Sequence, residues 1–211
     1  MAEATARRNR PYAPRLLPEQ RREQLLDIVL DIIDTDGVAS VSMDAVARSA
    51  GVTRPVVYSQ FTDANAMLRA SLDREEQRAL AQILDAMPAP GDDDLAGAFH
   101  HLFDAYLVAV TEAPQRWRSI FMIADSFTPT LYKRVARVRA RIVREVEAAL
   151  GDSWTADLHS DPELLAHHLV AALWEAGRLL LVSPESFTHD RLLRSLDDVF
   201  TGIAAHPMPT R

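Results

Sequence analysis

The chain has 211 residues, of which 48% are hydrophobic, and it carries a formal net charge of −7 with no cysteine. The lack of cysteine excludes a disulfide framework and a thiolate metal site. No apolar run reaches the roughly 18 residues of a membrane span, and the N-terminus lacks the apolar core of a signal peptide. We therefore expect a cytoplasmic protein with no membrane partner, built as one large or two small domains.

The charge is distributed unevenly along the chain. Residues 1–22 contain six arginines and two acids, a net charge of +4, whereas residues 61–211 contain 15 basic and 22 acidic residues. A basic end on an acidic body suits a protein that touches phosphates at one end only. The hypothesis is that arginines of the segment 1–17, among them Arg15, contact phosphates or a minor groove. The alternative is a disordered, solvated tail.

The first predicted helix runs from Glu19 to Thr35, with Gly37 ending it. Its apolar face is made of aliphatic residues at helical spacing. These residues are Leu25, Ile28, Val29, Ile32 and Ile33.

Residues 41–61 predict two short helices joined by a tight turn. Ser42 is a good N-cap for the first helix, and Gly51 suits a left-handed residue just after its end. Thr53 is a second N-cap, and Pro55 falls in the first turn of the second helix, where its missing amide hydrogen costs nothing. The stripe that faces inward in the first helix consists of Met43, Val46, Ala47 and Ala50. Val52, Val57 and Phe61 face inward around the second, which leaves Arg54, Pro55, Val56, Tyr58, Ser59 and Gln60 around its remaining face.

The rest of the chain predicts further helices and no strand, so the fold class is all-α, with about nine helices. They span residues 64–87, a stretch after the acids 92–94 that reaches Thr111, a short helix from Pro114, and residues 129–150, 162–182 and 190–204. The polar stretch from Gly151 to Asp161 is predicted to be a loop.

Aromatic residues recur on three of these helices and are candidates to line a largely apolar pocket. They are Phe99, Phe103, Tyr106, Trp117, Phe121 and Trp174, with Arg178 as a candidate polar contact. Ordinary core packing is the alternative for each of them.

No sequence pattern points to catalysis or to a metal. The chain lacks a glycine-rich phosphate loop, a Gly-x-Ser-x-Gly elbow and a His-Glu-x-x-His pair. The adjacent histidines at 100–101 and 167–168 point about 100° apart on a helix, so neither pair chelates one ion. We expect a protein that is not an enzyme and holds no metal or cofactor.

Residues 19–70 resemble the three-helix DNA-binding domain of the TetR family of bacterial transcriptional regulators. The resemblance is carried by Ala47, Gly51 and Val52 in the turn, by Tyr58 and Phe61 at the end of the second short helix, and by the pair Met67 and Leu68. The chain departs from the family at Ala64, where a lysine is usual, and at Gln60, where a histidine is frequent.

The resemblance implies a helix-turn-helix domain at 18–65 and an effector-binding and dimerisation domain at 66–211. It implies a regulator, most simply a repressor, that binds a palindromic double-stranded operator and is released by a small, largely apolar effector. The alternative is a regulator or architectural protein without such an effector, controlled by a protein partner. The expected DNA contacts are Ser42, Thr53, Arg54, Pro55, Val56, Tyr58, Gln60 and Arg15.

The last two helices carry wider apolar stripes than one packed face needs, and they are similar to the helices that pair two subunits in this family. An ordinary core pair is the alternative. The residues expected at a homodimer interface are Leu169, Ala172, Leu173, Ala176, Leu180, Leu196, Val199, Phe200 and Ile203.

Overall fold

The computed structural model describes residues 16–124, 129–158 and 161–205, and within these ranges the chain forms nine α-helices, one short 3-10 helix and no strand. The all-α prediction is therefore confirmed. The helices are α1 (Pro18–Asp36), α2 (Met43–Ser49), α3 (Arg54–Tyr58), α4 (Ala64–Asp85), α5 (Leu95–Glu112), α6 (Pro114–Ala124), α7 (Pro129–Leu158), α8 (Pro162–Val182) and α9 (His189–Ala205), and the 3-10 helix is Val38–Ser40.

The chain divides into two compact units within α4, the first ending at Asp73 and the second beginning at Arg74. In the first unit, α1 presents its aliphatic face to α2, and α2 packs against α3. The fully buried apolar side chains come from all four helices and are Leu25, Val29, Ile33, Val46, Val57 and Met67. The predicted inward stripes of α1 to α3 thus supply most of this core, because burying them removes the apolar surface that no short helix can cover alone. The predicted Ile28 and Val52 are only half-buried, whereas Leu26 and Leu30 of α1 are buried outside the predicted stripe.

The second unit is built around α5. Its inward face packs against α8 and α9, and α7 packs against α6 and α8. Phe99 lies fully buried on α5, and its ring stacks on that of Phe200 from α9 with centroids 4.7 Å apart. Two histidine–aspartate contacts also join these helices, His100 to Asp197 at 2.9 Å and His189 to Asp104 at 3.1 Å.

The predicted loop from Gly151 to Asp161 is wrong in its first part. The helical backbone of α7 extends to Leu158 and is broken only at Gly151, whose φ of 62° and ψ of 172° lie outside the helical region. A left-handed glycine ends one helix, and the chain can start another directly after it. A polar composition is compatible with an exposed helix as well as with a loop, so it does not distinguish the two.

Among the described residues, helix α8 alone is long and apolar enough to cross a membrane, judged by its length and composition only. A core helix of a globular protein passes the same test. Leu165, Ala166, Leu169 and Val170 are buried on one side, whereas Glu163 and Glu175 are exposed. This division into two faces is typical of a helix that packs on one side only.

A buried carboxylate holds α4 to α6 at the start of the second unit. Glu75 is 2% exposed, and its two oxygens accept hydrogen bonds from Arg74 Nε at 2.7 Å and from Arg116 Nε at 2.8 Å. Arg78 Nη1 lies 3.3 Å from the same carboxylate, and Arg116 also donates to Gln82 at 2.8 Å. Burial of a charge is tolerated here because several charged donors replace the water that the carboxylate loses.

We predict that Glu75→Ala destabilises the second unit by about 3 to 5 kcal/mol, because it leaves the side chains of Arg74 and Arg116 without their carboxylate at 10% and 14% exposure. Urea unfolding followed by tryptophan fluorescence measures this, since all three tryptophans belong to the second unit. Glu112→Gln, at an exposed acid of α5, is the matched control and should change stability by about 0.5 kcal/mol or less. Equal losses in the two variants would contradict the role given to Glu75.

Candidate nucleic-acid interface

The turn between α2 and α3 is defined by its caps. At the start of α2 the Ser42 hydroxyl accepts a hydrogen bond from the Ala45 amide at 3.1 Å. At its end Gly51 adopts φ 64°, the Gly51 amide donates to the Arg48 carbonyl at 3.2 Å, and the Val52 amide donates to the Ala47 carbonyl at 3.0 Å. These two bonds are the Schellman pattern, which satisfies the last carbonyls of a helix and turns the chain sharply. The left-handed conformation predicted for Gly51 is confirmed.

Thr53 stands at the N-cap position of α3, but its side chain makes no capping hydrogen bond. Its carbonyl accepts from the Val56 amide at 3.0 Å, and Pro55 occupies the first turn. Thr53 is therefore the N-cap residue of α3, as predicted, but its hydroxyl does not take part in the cap. The hydroxyl stays exposed beside the start of α3.

The structure brings most of the predicted DNA contacts onto one surface, the outer face of α3 together with its N-cap. Val57 and Phe61 are buried at 0% and 5% exposure, whereas Tyr58 is 55% exposed. Thr53, Arg54 and Pro55 are also exposed, and Val56 and Gln60 are half-buried. Ser42 is exposed at the start of the neighbouring helix α2. The exposed residues of this surface offer a ligand a cation, hydroxyl groups, a phenol and an aliphatic group. The backbone that carries them is fixed by the buried side chains of Val57 and Phe61.

Arg54 does not stand alone on this surface. Its Nε and Nη2 both contact the carboxylate of Asp44, through Oδ1 and Oδ2 respectively. Asp44 lies in the first turn of α2. Sequence reasoning missed Asp44, since ten residues and a turn separate it from Arg54. The only available signal was an acid at the start of the first short helix.

Arg22 of α1 secures the far end of α3. Its Nη1 donates to the Gln60 carbonyl at 2.9 Å, and its guanidinium lies 4.4 Å from the centre of the Phe61 ring. Capping of a helix end by arginine and stacking of arginine on an aromatic ring are both stabilising. By sequence, Arg22 belongs to the basic stretch 1–22. In the structure its side chain makes its contacts inside the first unit.

Two other predicted features of this surface have different outcomes. Arg15 lies outside the described residues. At the start of α4, where the resemblance lacks its usual lysine, the Asp63 carboxylate accepts a hydrogen bond from the Ala66 amide at 2.7 Å. An acid caps this helix favourably. It also places a negative charge one residue before Ala64.

The candidate pocket residues form two groups of packed rings. Phe99 and Phe103 pack with Phe200, whereas Tyr106, Trp117, Phe121 and Trp174 form a chain of neighbours with centroids 4.8 to 6.1 Å apart. Each of the five candidates on α5 and α6 is at most 6% exposed. Trp174 and Arg178 on α8 are half-buried. Both groups are packed in the core of the second unit, and a ligand-binding role for either of them remains a prediction.

Tyr106 carries an unusual polar group within the second group. Its hydroxyl is buried, and it has no hydrogen-bond partner among the described residues. A Cβ added at Gly177 would lie only 2.1 Å from this oxygen, so glycine is required for the approach of the ring to α8. Burial raises the pKa of Tyr106 well above its usual value, because the phenolate loses its hydration. The group is therefore a neutral donor at any physiological pH.

The structure changes the candidate dimer interface. Six of the nine predicted residues, namely Leu169, Leu173, Ala176, Leu180, Leu196 and Phe200, are 7% exposed or less in the core of their own subunit. Their place in that core accounts for the width of the apolar stripes, and their part in a dimer interface remains a prediction. Ala172 is half-buried, Val199 is 42% exposed, and the side chain of Ile203 lies outside the described residues. Apolar surface on α8 is instead offered by Leu164 and Val182, at 53% and 78% exposure.

Comparisons with known proteins agree with this arrangement. Residues 25–70 match the family model described as "Bacterial regulatory proteins, tetR family". The chain is 21% identical over 153 residues to the HTH-type transcriptional regulator AlkX of Mycobacterium tuberculosis, covering 71% of each protein. It is 26% identical over 95 residues to the nicotine-responsive transcriptional repressor HdnoR of Paenarthrobacter nicotinovorans, covering 44% of this chain and 46% of that protein. These relatives are named as regulators and not as enzymes.

Solved structures share the fold. A TetR-like transcriptional regulator from Rhodococcus sp. RHA1 superposes with a TM-score of 0.73 at 20% identity, covering 91% of this chain and all of the other. SmeT in complex with triclosan superposes with a TM-score of 0.64 at 20% identity, covering 90% of this chain and all of that one.

The two N-caps make a matched pair for a test. Ser42→Ala should cost about 1 kcal/mol of local stability, because it removes the acceptor of the Ala45 amide, whereas Thr53→Ala should cost close to nothing. Amide hydrogen exchange in the full chain measures both, at Ala45 for the first variant and at Val56 for the second. Similar acceleration of exchange in both variants would show that Thr53 caps in solution.

Proposed function

We propose that this chain is a DNA-binding transcriptional regulator of the TetR family, and that it acts as a cytoplasmic repressor that binds a palindromic operator as a homodimer and is released by a small molecule. The observation that supports this most directly is the exposed, cation-bearing face of α3 on a fully buried scaffold. In this proposal residues 18–65 read DNA, residues 66–211 bind the effector and the second subunit, and the segment 1–17 adds charge.

The residue roles follow from the chemistry of a major groove. The fork of Arg54 donates to O6 and N7 of a guanine, and Val56 packs against a thymine methyl. Ser42, Thr53 and Tyr58 hold phosphates with their hydroxyl groups, and Pro55 and Gln60 lie alongside. This division is supported by exposure, because every one of these side chains except those of Val56 and Gln60 is exposed.

Dimerisation through α8 and α9 provides the second reading helix. Two α3 helices related by a two-fold axis fit successive major grooves about 34 to 36 Å apart, which requires a palindromic or nearly palindromic operator. Exposed apolar side chains on these helices, Leu164, Val182 and Val199, support a pairing surface there. The small residue Ala172 lets two helices approach closely.

The second aromatic group is the proposed effector site. The rings of Tyr106, Trp117, Phe121 and Trp174 supply apolar contact. The Tyr106 hydroxyl, which has no hydrogen-bond partner within the described part of the chain, supplies one donor for an acceptor atom of the ligand. Binding of triclosan by SmeT and the response of HdnoR to nicotine, both small and largely apolar molecules, support this class of effector.

The regulatory step is a shift between two conformations. An effector can remove the protein from DNA only if it binds the conformation that does not fit the operator better than the one that does. Occupancy of the operator then falls as effector concentration rises.

We predict that the full-length protein selects a palindromic sequence from genomic DNA, and that Arg54→Ala weakens binding to it by about 1 to 3 kcal/mol and relaxes the preference at one base pair in each half-site. Fluorescence anisotropy with single-base operator variants measures both effects. Arg69→Ala, which removes an exposed arginine of α4, is the charge-matched control and should leave the base preference unchanged. An equal loss for Arg54→Ala on every operator variant would make Arg54 a phosphate contact.

We predict that a screen of small apolar compounds finds one that raises the melting temperature saturably and releases the operator. Tyr106→Phe should weaken the response to that compound while leaving operator binding intact, because it removes only the buried hydroxyl. His101→Gln, at an exposed residue of α5, is the control. If no compound changes operator binding but a protein from the cell does, the regulator is controlled by a protein partner instead.

A further inference from the structure

We propose that Asp44 is a specificity-determining residue of the DNA interface, which orients the Arg54 guanidinium so that one edge of it reads a single base pair. This inference rests on the proposed function, because it assigns a role within the same DNA-reading surface. Asp44 itself touches no base in this scheme; it is a positioning residue that acts through Arg54.

The contact pairs two parallel donors with two acceptors. Arg54 Nε meets Asp44 Oδ1, and Arg54 Nη2 meets Asp44 Oδ2, so the carboxylate takes the side edge of the guanidinium. A guanidinium carries further N–H donors in one rigid plane. One Nη1 hydrogen and the second Nη2 hydrogen form the end edge, which therefore still presents two parallel donors. That edge matches O6 and N7 of guanine.

Fold stability does not explain the pair. The two side chains are 65% and 45% exposed, and ion pairs at such exposure add little to stability. The first turn of α2 is already capped by Ser42. An acid in this turn does interact favourably with the helix dipole, but that interaction needs no arginine across the turn. What the pair distinctly provides is a fixed direction for a long, flexible side chain.

Orientation before binding favours recognition in two ways. An arginine that is already held in one rotamer loses less conformational entropy when it meets a base. The carboxylate also offsets the arginine charge, which weakens its attraction to phosphates of any sequence, while the short-range hydrogen bonds to guanine persist. Both effects increase the difference in affinity between the correct and the incorrect base pair.

The test compares Asp44→Asn with Asp36→Asn, which removes an exposed acid of the same unit that lies at the end of α1. Full-length proteins are titrated with the sequence that the wild type selects from genomic DNA, with its single-base variants, and with an unrelated duplex, at several salt concentrations. We expect Asp44→Asn to lose about ten-fold in discrimination at the base pair that Arg54→Ala also affects. Its affinity for the unrelated duplex should be unchanged or higher. Asp36→Asn should keep the wild-type profile.

A double variant isolates the dependence on Arg54. In the Arg54→Ala background, the further change Asp44→Asn should alter discrimination at that base pair by less than about two-fold, since no arginine remains to be oriented. A melting temperature equal to that of the wild type within about 2 °C shows that the fold is unaffected.

Three outcomes overturn the inference. If Asp44→Asn binds every duplex more tightly and its discrimination between base pairs is unchanged, Asp44 acts only by repelling the DNA phosphates. Uniformly weaker binding with a lower melting temperature makes it a structural residue. Binding of the wild type to all duplexes without preference overturns the proposed function, and this inference with it. In the first two outcomes sequence-selective binding persists, so the proposed function stands while the role of Asp44 does not.

Discussion

The left-handed backbone at Gly51 is the constraint on which the proposed DNA-reading surface depends. With φ at 64°, the amides of Gly51 and Val52 reach back to the carbonyls of Arg48 and Ala47, and the chain leaves α2 in one defined direction. A residue with a Cβ would be strained there. Because α3 starts three residues later, this turn places Arg54 beside Asp44 and leaves Tyr58 on the outside while Val57 enters the core.

Charged contacts serve different purposes in the two units. The Arg54–Asp44 pair is exposed, so water and salt screen it and DNA can compete for it. The Glu75 carboxylate is buried among arginine donors, where a missing partner leaves an uncompensated charge. Both pairs join residues of opposite charge. They differ in burial. The exposed contact of Arg54 with Asp44 is suited to recognition, whereas the buried contacts of Glu75 are suited to holding helices together.

Amphipathic stripes could not distinguish a subunit core from a subunit interface. The stripes on α8 and α9 predicted burial correctly, but Leu173, Leu196 and Phe200 are buried within their own chain. The reason is that α5, α8 and α9 share one core, so a wide stripe on α8 serves neighbours on two sides. The aromatic residues show the same ambiguity. Phe99 stacks on Phe200 as plain core, whereas Tyr106 keeps a hydroxyl without a partner among the described residues.

Local sequence alone determined most of the helices and the turn between α2 and α3, because caps, glycines and helical periodicity act within a few residues; the helical backbone after Gly151 is the exception. Ser42, Gly51 and Pro55 marked the two short helices, and the aliphatic spacing of α1 marked its buried face. Only the tertiary structure decided which side chains meet across longer separations. The contacts of Arg54 with Asp44, of Arg22 with Phe61 and of Glu75 with Arg116 depend on how helices cross. A crossing is set by the packing of a whole core, which no single stretch of sequence encodes.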